Sequence, residues 1–188
     1  ATIEESADRL NALIGNLLDA SRLSAGSLQP FLRATAIDEV APVALRGLDA
    51  GADVRLVVPD GLPLVNTDPG LLERVLANLF ANALAYSPPG RPPSLQASSA
   101  GRWVILDIID HGRGVPDDLK TVMFEPFERL DARGTGTGVG LGLAVVKGFL
   151  DTMGGSVTAL DTPGGGLTMQ VSLPAAEWSA SAPVPAGP

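Results

Sequence analysis

Cysteine is absent from the 188 residues, which excludes disulfides and thiolate metal sites. Histidine occurs once, at His111, so a multi-histidine metal centre is excluded as well. No apolar run approaches the roughly 20 residues of a membrane-spanning helix, and no secretory signal opens the chain. The expectation is a soluble, cytosolic chain, or a soluble piece of something larger, and the abrupt helical start at Ala1 points to a piece. Basic residues are the minority, 13 against 21 acidic ones, giving a net charge of −8. That charge repels phosphate backbones and argues against broad nucleic-acid binding. The pattern G-x-x-x-x-G-K-[ST] is missing, so this is not a P-loop protein, and the glycines run G-x-G-x-G rather than G-x-G-x-x-G, which disfavours a dinucleotide-binding βαβ unit.

What is present is a chain with 45% hydrophobic residues, enough for one domain with a substantial core. Residues 2–25 read as one amphipathic helix in which Ile3, Ala7, Leu10, Ile14, Leu17 and Ser21 recur at alternating spacings of four and three. That is a heptad seam, with Leu13, Leu18 and Leu23 widening it, and it fits packing on partner helices. The same stripe also fits a helix folded onto the chain's own core. Gly26 is placed to end the helix. From Leu28 the pattern becomes mixed: strands at 30–36, 53–58, 63–67, 94–99, 102–109, 156–161 and 167–173, and helices at 38–48, 69–86 and 139–153. Asp68 followed by Pro69 forms a helix N-terminus. Strands that mostly neighbour one another in sequence point to an antiparallel or mixed sheet with helices on one face. Residues 175–188, largely Ala, Ser and Pro, read as a disordered tail.

Four patterns in fixed order carry chemistry. In Asn78-Leu79-Phe80-Ala81-Asn82-Ala83-Leu84-Ala85-Tyr86-Ser87, the two asparagines lie one helical turn apart on one face, with Tyr86 a turn further. A carboxamide oxygen is a hard ligand suited to Mg²⁺, and the Tyr86 ring can pack on a flat base. Two locally bonded asparagines explain the spacing equally well. In Asp110-His111-Gly112-Arg113-Gly114, a carboxylate at the end of an apolar strand can accept from an exocyclic amine such as that of adenine. A glycine-rich turn with a solvated carboxylate fits too. In Phe124-Glu125-Pro126-Phe127-Glu128-Arg129, the aromatics can anchor a mobile segment and Arg129 can reach a phosphate, though two core phenylalanines and a surface arginine are the simpler reading. In Gly134-Thr135-Gly136-Thr137-Gly138-Val139-Gly140-Leu141-Gly142-Leu143, alternate glycines open an apolar helix, exposing backbone N–H groups that favour polyphosphate and forming a plausible lid.

Together these patterns resemble the N, G1, F and G2 boxes of sensor histidine kinases, within the wider ATPase superfamily of gyrase and Hsp90. The resemblance covers about residues 1–174. The Gly-Val-Gly-Leu-Gly-Leu-Ala run and the hairpin Thr162–Leu173 with its glycine triplet further resemble the potassium-responsive Kdp sensor kinases. The resemblance implies a two-layer α/β sandwich: a mixed sheet faced by three helices (28–174), preceded by the second helix of a dimerisation hairpin (1–27) whose first helix, carrying the phosphoacceptor histidine, lies upstream of Ala1. It implies ATP and Mg²⁺ as cofactors. Asn82 would ligate the metal, Asn78 would lie near the phosphates in a catalytic role, and Asp110 would bind the adenine amine. Tyr86, Gly112 and Gly114 would shape the base pocket, Phe127 would belong to the segment that covers the nucleotide, and Arg129 would approach the γ-phosphate. Gly138, Val139, Gly140, Leu141, Gly142 and Leu143 would form the phosphate-binding hinge of the lid. It implies a response regulator as partner, a homodimer in the full-length kinase and a membrane anchor elsewhere in it. Ala85 stands where the family usually has Lys or Arg, so phosphate clamping would fall to Arg129, Arg133 or Lys147, and Ala81 replaces a frequent acidic residue. A nucleotide-binding regulatory module that has lost catalysis is the alternative that Ala85 raises. Asn78 stands where the hydrolysing relatives carry a glutamate that activates water, which favours transfer to a histidine over hydrolysis.

Overall fold

The structure, a computed structural model, describes residues 3–48, 53–128 and 140–176. In chain order the elements are α1 (Ile3–Ser24), β1 (Arg33–Thr35), α2 (Ile37–Arg46), β2 (Arg55–Val57), β3 (Val65–Thr67), α3 (Pro69–Tyr86), β4 (Ser94–Ala100), β5 (Trp103–Ile109), α4 (Leu119–Val122), α5 (Gly142–Thr152), β6 (Ser156–Asp161) and β7 (Leu167–Pro174). The main sheet runs β2-β4-β5-β7-β6, antiparallel except for the parallel β2–β4 pair.

Alternation along β5 turns Val104, Leu106 and Ile108 to one face. The register places Leu95 and Met169 beside Ile108, and Ala97 and Val171 beside Leu106, so one side of the sheet is a continuous apolar surface. Helices α2, α3 and α5 cover it with Val40 and Ala44, with Leu72, Leu76, Leu79 and Phe80, and with Val145, Phe149 and Leu150, all buried. Each large side chain so buried stabilises the layer pair by about 1.5–3 kcal/mol. The opposite face of the sheet carries no helix among the described residues. No helix among the described residues is long and apolar enough to cross a membrane.

The structure adds to or corrects the sequence reading in three places. The neighbours 53–58 and 63–67 do not pair with each other: β2 joins β4 in parallel, while β3 pairs with β1, Arg33 opposite Thr67. Pro59 and Pro63 between them have no N–H to offer a hairpin ladder. The expected tail begins too early, because Ala175 N–H donates to Arg102 O (2.9 Å) and Ala176 N–H to Leu64 O (2.7 Å). Residues 177–188 lie outside the described residues. The short helix α4 was not anticipated; Lys120 ties it down, its Nζ 2.6 Å from Asp117 and 2.7 Å from Asp161 on β6.

Along α1, Ile14, Leu17 and Leu18 of the heptad stripe are exposed, and Asn16, Asp19, Ala20 and Leu23 make the face turned to the domain. The side chains of Ile3, Ala7, Leu10 and Leu13 lie outside the described ones.

Helix α3 starts where Asp68 caps it. Its Oδ1 accepts from Gly70 N–H (2.9 Å) and Leu71 N–H (3.2 Å), and Oδ2 accepts from Phe31 N–H (2.8 Å), tying the cap to the segment before β1. Asp68→Ala should therefore lower stability by about 1–2 kcal/mol, and Asp68→Asn by less. Urea denaturation checks this, and an unchanged midpoint in the alanine variant would show that the cap is dispensable.

Candidate active site

The asparagine pair and Tyr86 lie along one side of α3, and the two ends of that row touch the two glycine motifs. At one end, a Cβ added to Gly142, the first residue of α5, would sit 3.1 Å from Asn78 Oδ1. At the other, a Cβ on Gly112 would sit 2.7 Å from the Tyr86 carbonyl oxygen and 3.2 Å from Tyr86 Cβ. Asn82, half-buried, falls between these anchored ends.

The two asparagines differ. Asn78 is engaged at both ends of its amide: Nδ2 donates to Arg74 O (3.0 Å), and Oδ1 accepts from Asn16 Nδ2 on α1 at 3.4 Å. The Asn82 carboxamide has no hydrogen-bond partner among the described residues. Arg74 also forms an ion pair with Asp19 of α1 and lies over the Phe149 ring, 5.8 Å from its centroid. Burial pushes the Asp19 carboxyl above the usual carboxylate range, opposed by the Arg74 and Arg22 guanidinium groups.

Asp110 is buried at the end of β5. Its N–H donates to Leu167 O (2.9 Å), and its Oδ1 accepts from Leu167 N–H (3.0 Å) and Gly112 N–H (2.8 Å). Both contacts with Leu167 need the approach of Gly166 (φ 119°), where a Cβ would lie 2.1 Å from Asp110 O. Gly114 (φ 73°) approaches the same turn, a Cβ there falling 3.1 Å from Gly166 O. The glycine triplet, read from sequence as a hairpin turn, thus also forms the wall behind Asp110. The role of Gly166 and Leu167, and the contacts of Asn16, Asp19 and Arg74, were missed; the triplet was the one local signal available.

The F and G2 patterns meet through backbone. Phe127 N–H donates to Gly140 O (3.0 Å), and a Cβ on Gly140 (φ 79°) would lie 2.5 Å from Glu128 O. Phe127 itself has φ 68°, the one non-glycine residue with positive φ among the described residues, a strained conformation of the kind that clusters at functional sites. The two phenylalanines part company: Phe124 is buried, whereas Phe127 is 65% exposed, so neither the anchor reading nor the core reading holds for both. Leu141 is buried and Leu143 packs partly against the core, and among the described residues no side-chain cap is made by the N-cap residue Leu141, which leaves the first backbone N–H groups of α5 for another acceptor. Arg129, Arg133, Gly134, Gly136, Gly138 and Val139 lie outside the described residues.

The donor set fits a cation that arrives with a polyphosphate. No cluster of three or more His, Cys, Asp or Glu that could hold a metal occurs among the described residues, and the unpartnered Asn82 oxygen is a single hard donor. Two surface clefts, of about 560 and 220 Å³, flank the loop from Ser87 to Pro93, and neither is lined by Asp110 or Asn82.

The family model described as "Histidine kinase-, DNA gyrase B-, and HSP90-like ATPase" matches residues 67–177, more than half of the chain, and the chain belongs to that family. The mixed sheet faced by helices is the two-layer α/β sandwich of that ATPase type. The chain is similar to Sensor protein KdpD of Mycobacterium tuberculosis (strain CDC 1551 / Oshkosh), 45% identical over 187 residues, covering 94% of this chain and 21% of that protein. It is also similar to Sensor protein KdpD of Escherichia coli (strain K12), 35% identical over 164 residues, covering 86% of this chain and 18% of that protein. The chain thus spans about a fifth of the length of the curated relatives it matches. The crystal structure of full-length ShkA in complex with AMPPNP superposes with a TM-score of 0.77 at 29% identity, over 92% of this chain and 37% of that one.

Gly166→Ala should force the β6–β7 turn away from Asp110 and break both of its contacts with Leu167. The expected loss is at least the roughly 1–3 kcal/mol of overpacking, with the positive-φ strain added. Urea denaturation measures it, and wild-type stability in the variant would refute the buttress.

Proposed function

We propose that this chain binds ATP with Mg²⁺ and is the catalytic core of a sensor histidine kinase, passing the γ-phosphoryl group to a histidine on a dimerisation hairpin for relay to a response regulator. The supporting observation is the α3 row, which runs from Gly142 at Asn78 to Gly112 at Tyr86 with the unpartnered Asn82 amide between. Asp110 has one carboxylate oxygen committed to backbone N–H groups, and its second oxygen accepts the adenine amine. Tyr86, Gly112 and Gly114 flank the base, and Phe127 and Leu143 border the segment that covers the nucleotide. Gly140, Leu141 and Gly142 present the start of α5 to the phosphates beside Asn78, and Gly138, Val139 and Arg129 are assigned to the same phosphate-binding role. Asn82 would hold Mg²⁺, which would supply charge neutralisation to the phosphates. An acceptor imidazole nitrogen forms the new N–P bond as the β–γ bridging P–O bond breaks and ADP leaves. Asn78 offers no carboxylate to activate water, so the site favours this transfer over hydrolysis.

In this reading α1 is the second hairpin helix and its exposed Ile14, Leu17 and Leu18 meet partner helices of a homodimer, residues 28–174 are the ATP-binding domain, and the segment works on the cytoplasmic side of a membrane-anchored, potassium-responsive sensor. A second reading, a regulatory module without transfer activity, draws on Ala85, which is exposed near the end of α3 where a basic residue would serve the phosphates. Robust labelling of a longer chain carrying the upstream helix and its histidine would exclude it.

Calorimetry with a non-hydrolysable ATP analogue tests the site. Asp110→Ala should weaken binding about 10- to 150-fold, the range for losing a hydrogen bond to a charged group of about 1.5–3 kcal/mol. Asn82→Ala should bind the analogue equally with and without Mg²⁺. Undiminished affinity in the Asp110 variant would sink the assignment. The 188-residue chain should bind ATP without labelling itself from [γ-³²P]ATP.

A further inference from the structure

The larger cleft, about 560 Å³, opens on the helix-free face of the sheet, and its lining includes Arg55, Arg91, His111, Ser94 and Ile109. The strand register explains the convergence: Arg55 of β2 lies opposite Ser94 of β4, and Ser94 opposite Ile109 of β5, so one cross-strand row carries a guanidinium, a hydroxyl and an apolar floor. His111 follows two residues after Ile109. Arg91 comes from the adjoining loop, whose sequence Ser87-Pro88-Pro89-Gly90-Arg91-Pro92-Pro93 leaves its backbone little freedom. A turn bond from Arg91 N–H to Pro88 O (3.2 Å) and a bond from Arg55 N–H to Pro93 O (3.0 Å) fix the loop to the sheet. The backbone positions that carry both arginines are thus fixed before any ligand arrives, which lowers part of the ordering cost of binding.

The charge pattern is unusual for this chain. Acidic residues outnumber basic ones 21 to 13, yet no carboxylate lines the cleft. Neither Arg55 nor Arg91 forms an ion pair among the described residues. The nearest carboxylate in the register on this face, Asp107 opposite Gln96, accepts from Gln170 Nε2 (2.9 Å). The Arg91 side chain meets His111: its Nη2 lies 3.4 Å from Nδ1, and because a guanidinium only donates, Nδ1 accepts. The His111 backbone is held in turn by its N–H, which donates to Ser87 Oγ at 3.4 Å.

We propose that this cleft is a second binding site, separate from the site around Asp110, for a small phosphomonoester. Two guanidinium forks and a hydroxyl lining one cleft offer more donors than a carboxylate has oxygens to fill, and a phosphoryl dianion uses them. The volume exceeds that of a single phosphate, and Val57, Pro92 and Ile109 give the remainder an apolar wall for the body of the ester.

His111 is the single histidine of the chain, so its Cε1–H proton resonance reports on the cleft without assignment. Titration at fixed pH and ionic strength with inorganic phosphate, and separately with phenyl phosphate, should move that resonance to saturation, with phenyl phosphate binding at least several-fold tighter because of the apolar wall. Arg55→Gln and Arg91→Gln, both at exposed positions, should each weaken the response about tenfold or more while leaving the folded proton spectrum unchanged. A response to phosphate alone, with no gain from the phenyl group, would overturn the ester assignment. A resonance that neither probe moves beyond a matched chloride control, or one that moves equally in both arginine variants, would overturn the site.

Discussion

The exchange between Asp110 and Leu167 fixes the geometry on which the candidate site depends. The regular β5–β7 ladder ends at Ile109 opposite Thr168, and one residue further the Asp110 main chain and side chain both bond to Leu167. A buried carboxylate costs several kcal/mol unless its oxygens are satisfied, and here two backbone N–H groups meet one of them. The second oxygen is left as an acceptor held rigidly by the first. Only glycine at 166 permits that closeness, so a feature of the distal hairpin sets the position of a group on the central strand.

The same logic extends along α3. Its inner face, Leu72, Val75, Leu76, Leu79, Phe80 and Ala83, is fully or nearly fully buried, which leaves the helix no freedom to roll. Fixing that face fixes the row of Asn78, Asn82 and Tyr86 beside it. Glycines at 112 and 142 then let two backbones come within contact of the row's ends, where any side chain would hold them off. The preorganisation therefore resides in apolar packing and in glycine placement, and the polar groups are carried by it.

What the sequence discloses follows from how local each cause is. The bounds of α3 are legible because Asp68-Pro69 marks the start chemically and the apolar period runs unbroken to Tyr86. The sheet type and the order of the glycine motifs are legible for the same reason. Strand partners are not: β2 and β3 are adjacent in sequence, yet each pairs with a strand determined by the rest of the fold. The buttressing of Asp110 by Gly166 spans more than fifty residues, and the triplet's glycines look identical whether they serve a turn or a close approach. For Phe124 and Phe127 the sequence offers one motif, but Phe127 adopts a left-handed backbone that local propensity does not predict, and one ring is buried while the other is not.

Helix α1 shows how one amphipathic pattern can carry two faces. The apolar seam of Ile14, Leu17 and Leu18 points away from the domain, while the contact with it is made by Asn16, Asp19, Ala20 and Leu23. At one end of that contact Leu23 occupies the space a Cβ on Gly148 would need, its Cδ1 2.6 Å from that position, and towards the N-terminus lie the Asp19–Arg74 ion pair and the Asn16–Asn78 amide contact. An ion pair whose carboxylate is buried and whose guanidinium is partly exposed contributes little net stability, because desolvation of the carboxylate offsets attraction, but losing the partner would leave that buried charge uncompensated. A contact that joins an apolar part to a polar part has the character of an interface between units, set for register more than for strength. Because its polar part includes Asn78, the seating of α1 bears directly on one end of the amide row.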